Sequence, residues 1–410
     1  MKITAFFAVL ILAFSATANA QVDIFLDFGT NWSANIDQSA TNAGVATFSA
    51  AEQAEIESII LSRFEDAYAP YLMTFSTTDP GGVRERVDFG QTDGFGATGF
   101  GSAPLDFRNE RRNLTQLVFA RNFGVFIDSN DSREVQIQEF ATSLAGTGIH
   151  ELGHSLGQRH HSAYGTAGID PSNYDDTGGL QNQHFQATGP TGLNFDERVA
   201  PRTFSTWSKV LLEIAEGLTE NPLAVQAENG DTGDAISNAQ QLSQTFLPIA
   251  NRNAGLVRGL IDDDGDVVDD DTDVDIYSFA ALAGEFTAEL WADDVASSSD
   301  QFDGFIRLLD SDGNVLAFDD NTEYDGDTFN SGTVREIDPF LLNVQLESAG
   351  QYFLEVSTVG SEGRLDPTVG GEYHLLFSTL AVPEPNAGFL LILASAAMMA
   401  KRRRLPGLGV

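Results

Sequence analysis

The stretch GIHELGHSLGQRHH, residues 148–161, decides how the rest of the chain is interpreted. His150 and His154 are four residues apart, so on a helix their imidazoles project from one face and can hold a single zinc ion. His160 follows six residues later and can supply a third ligand. Three protein ligands leave the fourth position of a tetrahedral zinc for water or substrate, which is typical of a catalytic and not a structural site.

Two further positions in the stretch fit this interpretation. Glu151 lies beside the first ligand and can reach a metal-bound water without taking a coordination position itself. Gly157 can adopt the left-handed conformation that ends a helix, which lets the chain turn back towards the metal. A lone His-Glu-x-x-His can arise by chance on an amphipathic helix. Here, however, three of only six histidines fall within eleven residues, which favours the metal site.

The pattern His-Glu-x-x-His-x-x-Gly-x-x-His resembles that of the metzincin metallopeptidases. The resemblance implies an α+β catalytic domain with a mixed sheet and an active-site helix. It also implies a zinc-dependent endopeptidase that hydrolyses proteins or peptides through a zinc-activated water, with His150, His154 and His160 as metal ligands and Glu151 as general base. Metzincins place a methionine turn beneath the zinc, but no methionine lies between Met73 and Met398. Gln186 is the candidate for that position.

Composition limits the possible partners and compartments. The 410 residues are enough for two domains, and 60 acidic against 22 basic residues give a net charge of −38. This charge makes nucleic acid or an anionic membrane an improbable partner. Because cysteine is absent, disulfides and thiolate metal ligands are excluded.

Both ends of the chain resemble targeting segments. Residues 1–20 contain one lysine, an apolar run and Ala18-Asn19-Ala20, which together predict a secretory signal peptide. Residues 381–410 contain Pro383-Glu384-Pro385, a short apolar run and a basic cluster, an order similar to the bacterial PEP-CTERM sorting signal. The resemblance implies a bacterial, exported protein at the cell surface or outside the cell. It implies exosortase-type sorting machinery as a partner, and membrane contact only through the terminal segments.

Residues 21–222 are predicted to form the metzincin-like domain. Ser49 and Glu52 form a capping-box pattern at the start of an amphipathic helix. In metzincins the fourth strand is the antiparallel sheet edge that pairs with extended substrate, and by order Gly101–Phe107 is the candidate here, with Pro104 suited to an edge. An ordinary loop with an incidental strand-like run explains this stretch equally well. The other predicted strands are Val22–Phe28, Tyr71–Thr77, Val87–Phe89 and Gln116–Ala120.

Residues 223–380 are predicted to form an all-β sandwich, because short apolar runs alternate with turn residues. The sequences around Asp275–Ala280 and Tyr352–Ser357 resemble the bacterial pre-peptidase C-terminal domain. Nine aspartates among residues 262–275 make calcium a second candidate cation, although a solvated acidic loop explains the run equally well. The remaining predicted strands are Phe286–Trp291, Phe305–Leu309, Val315–Phe318, Phe340–Leu346 and Tyr373–Phe377.

A second function is compatible with the same sequence. In this alternative, the protein is a non-catalytic extracellular matrix or adhesion protein that uses a metallopeptidase-like scaffold. The missing turn methionine, the sorting segment and the acidic surface favour it. Glu151 argues against it, since a purely structural zinc site needs no general base.

Overall fold

A computed structural model describes most of the chain, and the description below is limited to these residues: 21–91, 99–160, 183–187, 193–229, 235–261, 274–291, 304–319, 339–358 and 371–381. The first part mixes helices with one sheet, and the second part is β-rich. The mixed α/β character of the first part and the β-rich character of the second part were both predicted. We call residues 21–222 the α/β domain and residues 223–380 the β domain.

The α/β domain contains one five-stranded sheet with the strand order β2-β1-β3-β5-β4. The first four strands in this order run parallel, and β4 is an antiparallel edge strand. The strands are β1 Val22–Asp27, β2 Met73–Ser76, β3 Glu85–Asp88, β4 Gly101–Ser102 and β5 Thr115–Val118. The helices are α1 Trp32–Asn42, α2 Ala50–Tyr68, α3 Arg133–Ser155, α4 Phe195–Val199 and α5 Thr206–Ile214.

Helices α2 and α3 enclose the core of this domain. The Ser49 side chain accepts from the backbone N–H of Glu52, and the Glu52 carboxylate accepts from the N–H of Ser49. The predicted capping box is therefore confirmed. Ile56, Ile60 and Phe64 of α2 are fully buried at helical spacing, so one apolar face of the helix contributes to the core.

One helix of this domain was missed, and one predicted strand was too long. Helix α1 was not predicted, although Trp32, Ile36 and Ala40 recur every four residues and are buried. Within the predicted strand Gly101–Phe107, only β4, Gly101–Ser102, pairs with a neighbouring strand. Phe107 already belongs to a 3-10 turn, in which the next two residues have positive φ angles. The edge strand is consequently only two residues long.

The β domain consists of two sheets that face each other. One sheet has the order β13-β12-β15-β10-β7, and the other has the order β14-β11-β16-β9-β6, with β8 pairing to β9. Apolar side chains from both sheets form one shared core. The strands are β6 Val225–Ala227, β7 Gln240–Gln241, β8 Thr245–Leu247, β9 Arg252–Ile261, β10 Asp275–Ala281, β11 Gly284–Trp291, β12 Gly304–Leu309, β13 Val315–Asp319, β14 Phe340–Leu346, β15 Gly350–Thr358 and β16 Gly371–Leu380.

All seven strands predicted for this domain are present, but the ten-residue strand β9 was missed. Its sequence contains two glycines, which weaken a strand pattern. Gly255 pairs with Phe377 and Gly259 pairs with Tyr373 on β16. A β-carbon at either glycine would overlap the opposing aromatic ring. The glycines therefore make space for two rings that lie across the neighbouring backbone.

Several sequence features lie outside the described residues. These are the signal peptide, the sorting segment from residue 382 onward and the acidic run up to residue 273. Among the described residues, none of the helices combines the length and the apolar character needed to cross a membrane.

Candidate metal centre

The metal-binding motif lies at the end of a buried helix. Helix α3 is 23 residues long, and every residue from Phe140 to Ser155 is buried. The Ser132 side chain caps its first turn by accepting from the N–H of Val135. A helix enclosed on all sides by its own domain holds its side chains in fixed positions. His150 and His154 are therefore presented by one of the most enclosed elements of the described chain.

The three predicted metal ligands come together. The Nε2 atom of His150 lies 3.1 Å from Nε2 of His154 and 3.1 Å from Nε2 of His160. Candidate ligand atoms of all three lie within 4.8 Å of one another, and the three side chains are buried. Among the described residues this is the one such cluster of metal-ligating groups.

The spacing of these nitrogens fits a zinc ion. Zinc–imidazole bonds are about 2.0–2.1 Å, so nitrogens in a tetrahedral site lie roughly 3.4 Å apart. The observed 3.1 Å separations are close to this value. Three neutral imidazoles are also a typical donor set for zinc. The buried triad could hold a metal ion, and its chemistry matches zinc.

The other ring nitrogens of two ligands are held by the backbone. Nδ1 of His150 lies 2.6 Å from the carbonyl oxygen of Phe185, and Nδ1 of His154 lies 2.7 Å from that of Gln158. A carbonyl can only accept, so each Nδ1 carries the proton and each Nε2 is left to bind a metal. Burial, together with the neighbouring imidazoles, lowers the pKa of His150 well below its ordinary value, which keeps the ring neutral.

The third histidine is brought back by a tight turn after α3. Gly157 has φ 85°, the left-handed conformation predicted for it. Its N–H donates to the carbonyl of His154, and the N–H of Gln158 donates to the carbonyl of Gly153. This pair of bonds is a Schellman motif, which satisfies the last carbonyls of the helix while reversing the chain.

Glu151 is buried between the edge strand and a cation. Its exposed fraction is 6%, and its carboxylate lies directly against Gly101 of β4. The guanidinium of Arg198 interacts electrostatically with Glu151. The same guanidinium lies over the ring of Phe100, 4.6 Å from its centroid. The predicted general base is therefore held against the sheet edge by burial and by a neighbouring cation.

Gln186 packs against the helix turn that carries His150. Its side chain is fully buried, lies against Gly153, and donates from Nε2 to the carbonyl of His150 at 3.2 Å. A polar amide thus contacts the helix turn that carries the first two ligands. The preceding residue, Phe185, supplies the carbonyl that orients His150.

Two buried arginines near the site were not predicted. Arg198 donates to the hydroxyl of Thr147, and Arg202 donates to the Phe185 carbonyl at 3.4 Å. Burial lowers the pKa of Arg198 to about 10 and that of Arg202 to about 9. Both remain charged at neutral pH. No sequence motif links these arginines to the histidines, because the fold alone brings them close to the site.

Two of the six histidines, His161 and His184, lie near the triad in the sequence but do not belong to it. His161 lies outside the described residues. His184 is described, and its Nδ1 lies 3.3 Å from the carbonyl of Thr203. It is not among the histidines that come together at the metal site.

Comparison with known proteins gives limited results. The chain matches no protein-family model and no curated protein sequence. Among solved structures, the pre-peptidase C-terminal domain of collagenase from Bacillus anthracis is similar at 12% identity, covering 38% of this chain and 97% of that one with a TM-score of 0.19. The periplasmic g-type lysozyme inhibitor PliG of Salmonella Typhimurium is similar at 15% identity, covering 34% and 97% with a TM-score of 0.19. A mutant of the corresponding inhibitor from Escherichia coli is similar at 14%, covering 34% and 96% with a TM-score of 0.20.

Proposed function

We propose that this protein is an exported zinc-dependent endopeptidase of the metzincin type. The observation that carries the proposal is the convergence of three imidazole Nε2 atoms at zinc-compatible spacing, with the buried Glu151 next to His150 in the same helix. His150, His154 and His160 would hold the ion. Zinc, when bound, lowers the pKa of a coordinated water and polarises a peptide carbonyl.

The residues of the chain supply the proton transfers. Glu151 accepts a proton from the attacking water and passes it to the leaving amine. Arg198 lies close enough to interact electrostatically with its carboxylate. His150 and His154 keep the neutral tautomer because their Nδ1 protons are held by backbone carbonyls.

The substrate would be an extended protein or peptide. Strand β4 is the edge of the sheet in the described chain, and it is antiparallel to β5. An extended peptide can add to such an edge by main-chain hydrogen bonds. Because Glu151 lies against Gly101 of β4, a peptide added there would pass close to the general base.

The location and remaining partners are also part of the proposal. The terminal sequences support export, processing by an exosortase-type system, and a final position at the bacterial surface or outside the cell. The β domain would be of the pre-peptidase C-terminal type. The acidic run supports calcium as an additional cation.

One observation favours a second function, that of a non-catalytic matrix or adhesion protein. Gln186 donates to the carbonyl of His150 and lies against Gly153, and we take it as the counterpart of the methionine that metzincins place beneath the zinc. A scaffold that no longer catalyses hydrolysis would tolerate such a change. Zinc would then be structural or absent.

A paired measurement separates the two functions. Zinc per chain and hydrolysis of casein are measured for the wild type and for Glu151→Gln. The endopeptidase predicts about one zinc in both proteins and a loss of hydrolysis in the variant of at least ~100-fold. Glu134→Gln, an exposed change in the first turn of the same helix, is the matched control and should keep full activity. Zinc binding without hydrolysis by the wild type would establish the scaffold instead.

A further inference from the structure

The two domains share a hydrophobic core next to the metal site. Side chains of α5 and of the segment before β5 pack against strands of the β domain, and all of them are buried. We call this cluster the shared core. Its α/β-domain members are Leu105, Phe107, Trp207, Val210, Leu211 and Ile214, and its β-domain members are Leu223, Leu247, Ala250, Ala254, Leu256, Trp291, Phe340 and Leu376.

The segment that carries the third metal ligand reaches directly into this interface. Arg159, the residue before His160, is 5% exposed. Its guanidinium carbon lies 4.1 Å from the centroid of the Trp291 ring on β11. Its Nε lies 3.8 Å from a carboxylate oxygen of Glu289 on the same strand. A cation that stacks on an aromatic face and faces a carboxylate is well held.

The partners of Arg159 are themselves fixed by the α/β domain. The second carboxylate oxygen of Glu289 accepts from Nε1 of Trp207 on α5 at 2.8 Å. The Trp291 ring packs on Phe107 with centroids 4.3 Å apart. Gly157, which starts the turn towards His160, lies against the backbone of Phe107. Side chains of β11 therefore contact Arg159, and Trp291 of the same strand also contacts Phe107, on which the turn at Gly157 packs.

We infer that the β domain is a positioning part of the metal site, acting through Trp291 and Glu289 on Arg159 to hold His160 in place. The inference rests on the proposed zinc site. His150 and His154 are fixed by α3, whereas His160 lies beyond the end of α3, after the turn at Gly157. Its placement therefore depends on what holds its neighbours. The α/β domain then needs the β domain in order to bind the metal tightly.

The test measures zinc affinity of the full chain by competition with a chromophoric chelator. The variants are Trp291→Leu, which removes the ring under the guanidinium, and Arg159→Met, which keeps an unbranched stem and removes the charge. Changes to groups that orient a metal ligand typically weaken metal affinity by about 10- to 100-fold. We expect both variants to lie in this range while the near-UV circular dichroism stays native.

The control is Phe279→Leu, a change of a fully buried ring in the core of the β domain, away from the shared core. It should lower stability and leave zinc affinity unchanged. If Trp291→Leu does not fold, Arg159→Met alone decides the question. Wild-type zinc affinity in a folded variant would overturn the inference and leave the peptidase proposal intact. Zinc binding without hydrolysis by the wild type, combined with weaker zinc binding in the variants, would overturn only the peptidase. A wild type that binds no zinc would overturn both.

Discussion

The carboxylate of Glu151 occupies the space that a side chain at position 101 would need. A β-carbon built on Gly101 would overlap the carboxylate oxygen, its carbon and the preceding methylene of Glu151. The two residues are on different elements, strand β4 and helix α3. The absence of a side chain at the sheet edge is therefore what allows Glu151, the proposed general base, to lie beside it.

Replacing Gly101 by alanine should displace the Glu151 carboxylate. The clash involves the flexible end of one side chain and not the backbone, so the fold and the zinc content should be retained. A misplacement of about 1 Å in a reacting group costs roughly 100-fold in rate. We expect kcat for casein or a peptide to fall by about that factor. Gly350→Ala, where a β-carbon meets nothing within 4 Å, is the control, and equal activity of the two variants would contradict the role of Gly101.

Replacing Gln186 by methionine should preserve the metal site. The two side chains are similar in size, and the change removes one hydrogen bond to the His150 carbonyl, which is worth about 1 kcal/mol. A flexible thioether can fill the same buried space. We expect one zinc per chain and a change in the free energy of unfolding of no more than ~2 kcal/mol. Gln186→Ala, which leaves a cavity, should be less stable than Gln186→Met. Loss of zinc from the methionine variant would show that the amide itself is required.

Zinc should stabilise the whole α/β domain. Two of the three proposed ligands, His150 and His154, lie on α3, whose buried residues form part of the main core. An ion that binds only the folded state adds stability. At a free zinc concentration of about 1,000 times Kd, the gain is about 4 kcal/mol. We expect the unfolding temperature to rise on zinc addition and to fall when a chelator removes the ion. His160→Ala should lose most of this response, and a full response in that variant would exclude His160 as a ligand.

Glu85 should make stability depend on pH. Its side chain is fully buried, and burial raises its pKa to about 7. The folded state therefore holds a proton that the unfolded chain releases above about 4.5, so stability falls as pH rises from about 4.5 to 7. Glu85→Gln keeps an acceptor for Gln116, which bonds to Glu85 at 3.1 Å. It should increase the free energy of unfolding at pH 8 by roughly 1–3 kcal/mol and bring no gain at pH 4.

Denaturant unfolding at the two pH values checks this prediction. The exposed Glu65 on α2 offers the same carboxylate-to-amide change without burial. A gain at pH 8 that Glu65→Gln reproduces would assign the effect to net charge and not to Glu85.

The local parts of the metal site could be predicted from the sequence. Helical spacing places His150 and His154 on one face, and a glycine is needed to turn the chain towards His160. These rules act over a few residues and depend on no distant partner. The same reasoning gave the capping box at Ser49 and the seven strands of the β domain, since each rests on neighbouring residues.

The supporting parts depend on contacts between distant segments. Arg159 meets Trp291, which is more than one hundred residues away in the chain. Arg202 shares the Phe185 carbonyl with His150 only because the fold brings them together. No spacing rule predicts such pairs. Strand β9 was missed for a related reason, because its glycines are explained by the aromatic rings of β16 and not by their own neighbours.

The rings that lie over Gly255 and Gly259 also limit how the β domain can assemble. If β9 and β16 paired one residue out of register, the rings of Phe377 and Tyr373 would meet residues that carry side chains. The same slip would turn the buried face of the displaced strand towards solvent. Pairing segments so far apart in the chain is slow, because a long loop must close first. We expect this pairing to limit the folding rate of the β domain. Because the slipped pairings are sterically unfavourable, we expect misregistered intermediates to dissociate before they can aggregate.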